Sequence, residues 1–128
     1  MMKRMHAEDE LTKAAATGNT CRVQFLLYNK VNVNNVNKFG RTPIQVMMMG
    51  NTPLAHLLLK YGADPNVPDP GTGSTPLHDA ARAGFMDTVR LLILFNADPN
   101  ATDHCNLRPV DVARQADHVD VVEFLSRF

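Results

Sequence analysis

The chain has 128 residues, and its thirteen Lys and Arg balance thirteen Asp and Glu, so the formal net charge at pH 7 is zero. That balance removes any bulk attraction to a polyanion and argues against nucleic acid as a partner. The length supplies one core and little for a second, so a single domain over residues 1–128 is expected.

In chain order, Met1 to Asp9 carries Lys3, Arg4, Glu8 and Asp9 and no apolar h-region, so no secretion signal is read there. A first helix is expected near 8–16, with the small pair Ala14-Ala15 on its buried side, and a second near 20–28. Residues 31–41, crowded with Asn, suit an extended hairpin-like turn. Thr42-Pro43 then opens a helix near 43–48, because Thr caps an N-terminus and Pro loses nothing at the first helical position. A helix near 52–60 and a turn over 64–74 follow. In that turn Gly71-Thr72-Gly73-Ser74 lacks the Lys and the spacing of a phosphate loop. Thr75-Pro76 opens the next helix, near 76–83, in which Leu77 points inward and Ala80-Ala81 keep the buried side thin. Gly84 turns the chain into a helix near 86–94, whose apolar run Leu91 to Phe95 is far too short to cross a bilayer. A turn over 98–107, a helix near 109–115 behind Arg108-Pro109 and a last one near 119–127 complete the chain, Val119, Val121, Val122 and Leu125 being the apolar positions of the last. Cys21 and Cys105 show no spacing that would set four ligands round zinc, so they read as reduced, intracellular thiols, and no cofactor is expected.

These landmarks repeat. Thr42-Pro43, Thr75-Pro76 and Arg108-Pro109 are spaced by 33 residues, and Gly62-Ala63-Asp64-Pro65-Asn66 returns as Asn96-Ala97-Asp98-Pro99-Asn100. The segment from Ser74 to Phe85 resembles the ankyrin consensus, and the likeness covers nearly the whole chain. It implies an all-α fold, an ankyrin-repeat solenoid of four helix-turn-helix repeats joined by hairpin-like turns, over about 8–39, 40–72, 73–105 and 106–128. One repeat cannot bury its apolar face alone, so neighbours must pack together.

Repeat two departs from the pattern. Thr42 to Gly50 spans one position fewer than Thr75 to Gly84, so its first helix is expected to be shortened or distorted. The same stretch reads Arg41-Thr42-Pro43-Ile44-Gln45-Val46-Met47-Met48-Met49-Gly50, and with His78-Asp79-Ala80-Ala81-Arg82-Ala83-Gly84-Phe85-Met86-Asp87-Thr88 it closely resembles the ankyrin-repeat inhibitors of the cyclin D-dependent kinases, the INK family, in its four-repeat branch. The resemblance implies a non-enzymatic, monomeric protein, cytoplasmic and nuclear, that grips a cyclin D-dependent kinase beside its ATP cleft and restrains cell-cycle entry. An ankyrin adaptor for a different protein target is the alternative, since the fold alone does not name a partner.

Eight residues are the candidate contacts. Asp79 matches the family Asp that pairs with a kinase arginine; on its own it is also a solvated helix charge in reach of Arg82. Arg82 either touches the partner or orients Asp79. Asp69 and Asp87 match acidic family positions, against turn chemistry for the first and helix-dipole complementarity for the second. Phe85 stands where many ankyrin repeats have His, so it reads as an aromatic anchor or as a ring tucked under a loop. Met47 and Met48 either form an adaptable contact patch around the broken helix or fill the core, and Val46 beside them counts among the contacts. His78 reads as structural. Ser74, His78 and Asp79 name a hydrolase triad, yet residues so close on one turn and helix cannot form that line.

Overall fold

A computed structural model describes residues 7–128, with side chains from Asp9 onward; the reading of Met1 to His6 lies outside the described residues. The chain forms two compact units that divide between Asp64 and Pro65. The first holds α1 (Ala7–Ala16), α2 (Thr20–Tyr28), α3 (Pro43–Val46) and α4 (Thr52–Lys60). The second holds α5 (Pro76–Ala83), α6 (Met86–Leu94), α7 (Pro109–Gln115) and α8 (Val119–Leu125). Five helices occupy the spans expected from sequence; α1 starts one residue earlier, α3 ends at Val46 rather than near residue 48, and α8 ends at Leu125 rather than near residue 127.

In each unit the first helices of its two repeats lie side by side, α1 against α3 and α5 against α7, while each is covered by the second helix of its own repeat. The seam of the first unit is Leu11, Val23, Leu54 and Leu58, each 0% exposed, with Ile44 at 1%. That of the second is Leu77, Ala80, Ala81, Val89, Leu92, Ala113 and Val121, all 0% exposed. Burying one such Leu contributes about 1.5–3 kcal/mol, so the seam outweighs any single polar contact. Val119, expected on the apolar side of α8, is instead exposed, while Val121 and Leu125 are buried and Val122 half-buried.

Three first helices start with one device built from three chemistries. The N-cap amide of α3, at Thr42, donates to Gln45 Oε1 at 2.7 Å. That of α5, at Thr75, donates to His78 Nδ1 at 3.1 Å, and that of α7, at Arg108, to Asp111 Oδ2 at 2.9 Å. Each third residue supplies an acceptor long enough to reach back over the first turn. His78 is fully buried, and its Nε2 lies 2.7 Å from the Leu107 carbonyl oxygen, which fixes the ring as structural.

The three turns share a staple. Asn37 Oδ1 accepts from the amides of Phe39 and Arg41, Asp69 Oδ2 from those of Gly71 and Thr72, and Asp103 Oδ1 from those of Cys105 and Leu107. A backbone bond closes each turn: Asn37 N to Arg41 O, Asp69 N to Ser74 O, and Asp103 N to Leu107 O, at 2.8–3.0 Å. Beside them stand two asparagine clasps. Asn34 donates to Gly62 O at 2.9 Å and accepts from Asp64 N at 2.8 Å, and Asn66 donates to Asn96 O at 3.1 Å and accepts from Asp98 N at 2.6 Å. A side-chain amide carries both donor and acceptor, so it satisfies two backbone groups at once.

Candidate protein-binding site

The second unit positions most of the candidates on and around α5. Thr75 Oγ1 accepts from His78 N at 3.4 Å, Pro76 takes the first helical position, and Gly84 ends the helix in the left-handed region at φ 79°. With Leu77, His78, Ala80 and Ala81 buried, the polar residues left on this helix are Asp79, half-buried, and Arg82, exposed. Arg82 Nη1 donates to Asp79 Oδ1 at 3.2 Å, and Arg82 Nη2 donates to Ser74 Oγ at 3.3 Å. Ser74 is also placed to favour the charged form of the Asp79 carboxyl. Burial pushes the Asp79 carboxyl above the usual carboxylate range, and it does so against the pull of Arg82, Ser74 and His78. Asp103, in the next turn, moves the other way: the Leu107 amide holds its carboxyl below that range, with the Cys105 amide, His78 and Arg82 helping.

Of the two readings of Arg82, the geometry is that of an orienter, since its guanidinium bridges Asp79 and Ser74. Ser74, His78 and Asp79 form no nucleophile and base pair, because His78 spends its nitrogens on Thr75 and Leu107. Asp69 is engaged in turn chemistry: Oδ2 accepts from Gly71 N at 2.9 Å, Thr72 N at 3.1 Å and Thr72 Oγ1 at 3.3 Å. The Gly71–Ser74 stretch is therefore a stapled turn. Asp87 is exposed in the first turn of α6, where its charge complements the helix dipole.

Phe85 is 44% exposed, which sets aside burial under a loop. It is also the N-cap of α6 and supplies no side-chain cap, whereas Asn19 and Asn51 cap α2 and α4 by accepting from Arg22 N and Leu54 N. Giving up such a cap costs about 1 kcal/mol, so the ring holds its place at the expense of its own helix.

In the first unit the deleted residue has a clear result. α3 is four residues long, and Met47 follows it in extended backbone at φ −69° and ψ 158°. Exposure alternates along the methionine triplet as the chain passes from there into a turn at Met49-Gly50: Met47 is 4% exposed, Met48 74% and Met49 7%. The two methionines weighed as contact patch or core filling therefore divide, and Met47 does not belong among the contacts. Met47 fills the core, where the seam lacks a last turn of helix, and Met48 alone faces outward; Val46 is half-buried. The left-handed residue that follows α1, α5 and α7 (Gly18, Gly84, Asp117) has no counterpart after α3 among the described residues. Among the described residues no cluster of His, Cys, Asp or Glu could hold a metal ion, and no helix is long and apolar enough to cross a membrane.

The contact of Ser74 with Arg82 was not read from the sequence, which weighed Ser74 only in the Gly71–Ser74 turn and as a triad member; a hydroxyl five residues before an acidic helix position is the signal that could have found it.

Comparison with known proteins agrees with this architecture. The family model for ankyrin repeats in three copies matches residues 11–103 and 46–127. The cyclin-dependent kinase inhibitor 2A of Monodelphis domestica is 51% identical over 117 residues, 91% of this chain and 68% of that protein. The cyclin-dependent kinase 4 inhibitor B of Bos taurus is 47% identical over 116 residues, 91% of this chain and 88% of that protein. Its Homo sapiens counterpart is 44% identical over 119 residues, 93% and 86% of the two chains. Paired helices opened by Thr-Pro or Arg-Pro, a truncated α3 and relatives of this coverage together place the chain in the family of ankyrin-repeat cyclin-dependent kinase inhibitors.

Proposed function

We propose that the chain is a stoichiometric inhibitor of cyclin D-dependent kinases, acting as a monomer in the cytoplasm and nucleus to restrain cell-cycle entry. It binds beside the ATP cleft and makes or breaks no bond. Its effect is a population shift: it binds an inactive arrangement of the kinase lobes more tightly than the active one and moves the equilibrium by that difference. A shift from 1:99 to 99:1 needs about 5.5 kcal/mol of differential affinity.

The observation that carries this reading is the state of Asp79, a carboxylate tethered by Arg82 and partly withdrawn from water. Desolvation already paid in the free chain is not paid again on binding, so a partner guanidinium meets a pre-set acceptor. Phe85, six residues further along the chain, adds an exposed ring of the kind that anchors interfaces. Calorimetric titration against a cyclin D-dependent kinase tests the reading, with Asp79→Asn alongside and circular dichroism as folding control. One-to-one binding that weakens by about 2–5 kcal/mol in the variant is expected. Equal binding by both proteins discards Asp79 as the anchor, and no binding by either leaves an adaptor for another target.

A further inference from the structure

Ser74 is 5% exposed and its backbone is clamped on both sides: its carbonyl accepts from Asp69 N at 2.8 Å, and its amide donates to Thr72 Oγ1 at 3.2 Å. The hydroxyl is therefore carried by a fixed point of the turn. A guanidinium can only donate, so Ser74 Oγ accepts from Arg82 Nη2 at 3.3 Å. The other end of the same guanidinium, Arg82 Nη1, donates to Asp79 Oδ1 at 3.2 Å, so Arg82 links the clamped turn to the carboxylate. An exposed ion pair of this i, i+3 kind contributes little alone, because two flexible side chains must be held together. Tying the guanidinium to a rigid turn removes part of that freedom before any partner arrives.

We infer that Ser74 is a positioning residue of the binding site, holding the Asp79 carboxylate in the orientation that a cationic partner group meets. The inference rests on the proposed function for its effect on the kinase, but not for its effect on Asp79 in the free chain. Ser74 touches no partner; it acts on Asp79 through Arg82.

The test uses the full chain with Ser74→Ala, Ser74→Thr and Asp79→Asn, singly and with Ser74→Ala combined with Asp79→Asn. Carbon-detected NMR follows the Asp79 carboxyl across pH in the free protein. Loosening Arg82, which favours the charged form, should move its midpoint upward in Ser74→Ala and leave it near wild type in Ser74→Thr. A hydroxyl that serves only to fill space would leave the midpoint still, and that result overturns the inference. Against a cyclin D-dependent kinase, Ser74→Ala should weaken binding about tenfold, the weight of one hydrogen bond to a charged group. Ser74→Thr should restore it, and in the Asp79→Asn background Ser74→Ala should change nothing further. An equal loss in both backgrounds refutes the positioning role. If the wild-type chain fails to bind the kinase, the proposed function falls while the NMR titration still decides the role of Ser74. Should Ser74→Ala fail to fold, Ser74→Cys keeps the volume without the strong hydroxyl and takes its place in both measurements.

Discussion

Replacing Gly84 by Ala perturbs the joint between the helix that bears Asp79 and the ring of Phe85. Gly84 sits at φ 79° and ψ 21°, a left-handed conformation that costs an L side chain about 1–2 kcal/mol. A Cβ there would also lie 2.5 Å from His118 Nδ1, 2.6 Å from Cε1 and 2.8 Å from Cγ, so the imidazole must swing aside. Forcing that half-buried ring from its rotamer adds about 0.5–1.5 kcal/mol, before any packing it loses. The expected destabilisation is about 2–4 kcal/mol, read from urea unfolding followed by circular dichroism. Gly62→Ala is the control, because Gly62 is left-handed at φ 95° but has nothing within 4 Å of the added carbon. It should cost only the backbone term, about 1–2 kcal/mol. Removing the ring with His118→Ala should recover about 1 kcal/mol of the Gly84→Ala loss in a double-mutant cycle. The reasoning is refuted if Gly84→Ala is no costlier than Gly62→Ala, or if His118→Ala adds to it without coupling.

The methionine triplet predicts a contrast between neighbours: Met47→Ala should cost about 2–4 kcal/mol in urea unfolding, since it empties the core, while Met48→Ala should change stability by less than about 0.5 kcal/mol. Asn66→Ala removes both bonds of its clasp and should cost about 1–2 kcal/mol, visible as a lowered Tm. Asp79→Asn should leave the free chain at neutral pH no less stable than wild type. The sign follows from burial: a carboxyl whose folded pKa lies above its unfolded value binds its proton more tightly when folded, so it favours folding in acid and opposes it once ionised. The Tm of the variant relative to wild type should therefore rise as pH climbs out of the ordinary carboxylate range and through the higher folded value, as a pH series of thermal melts will show.

Most of the fold was legible because 33-residue spacing and Thr-Pro or Arg-Pro starts encode local geometry that packing then reinforces. Where α3 ends was less legible. A missing residue tells that a helix is cut but not where, and the outcome depends on whether Met47 gains more from the core than from another helical turn. The caps formed by Gln45, His78 and Asp111 went unread because three unlike side chains do one job, and only a shared reach-back acceptor unites them. Around Asp79 the sequence offered the i, i+3 partner Arg82 but not Ser74, whose contact comes from the path of the turn before α5. Asp69 and Asp87 read equally as structural or binding residues, and their observed positions in a turn staple and a helix first turn satisfy the structural terms.

The alternation that follows α3 also sorts the three thioethers by their exposure to oxidants. Peroxide reaches Met48 freely, while Met47 and Met49 are shielded by the surrounding core. Mild oxidation should thus convert the outward sulfur to its polar sulfoxide and spare its two neighbours, leaving the repeat folded but chemically marked on one side, until a reductase restores it.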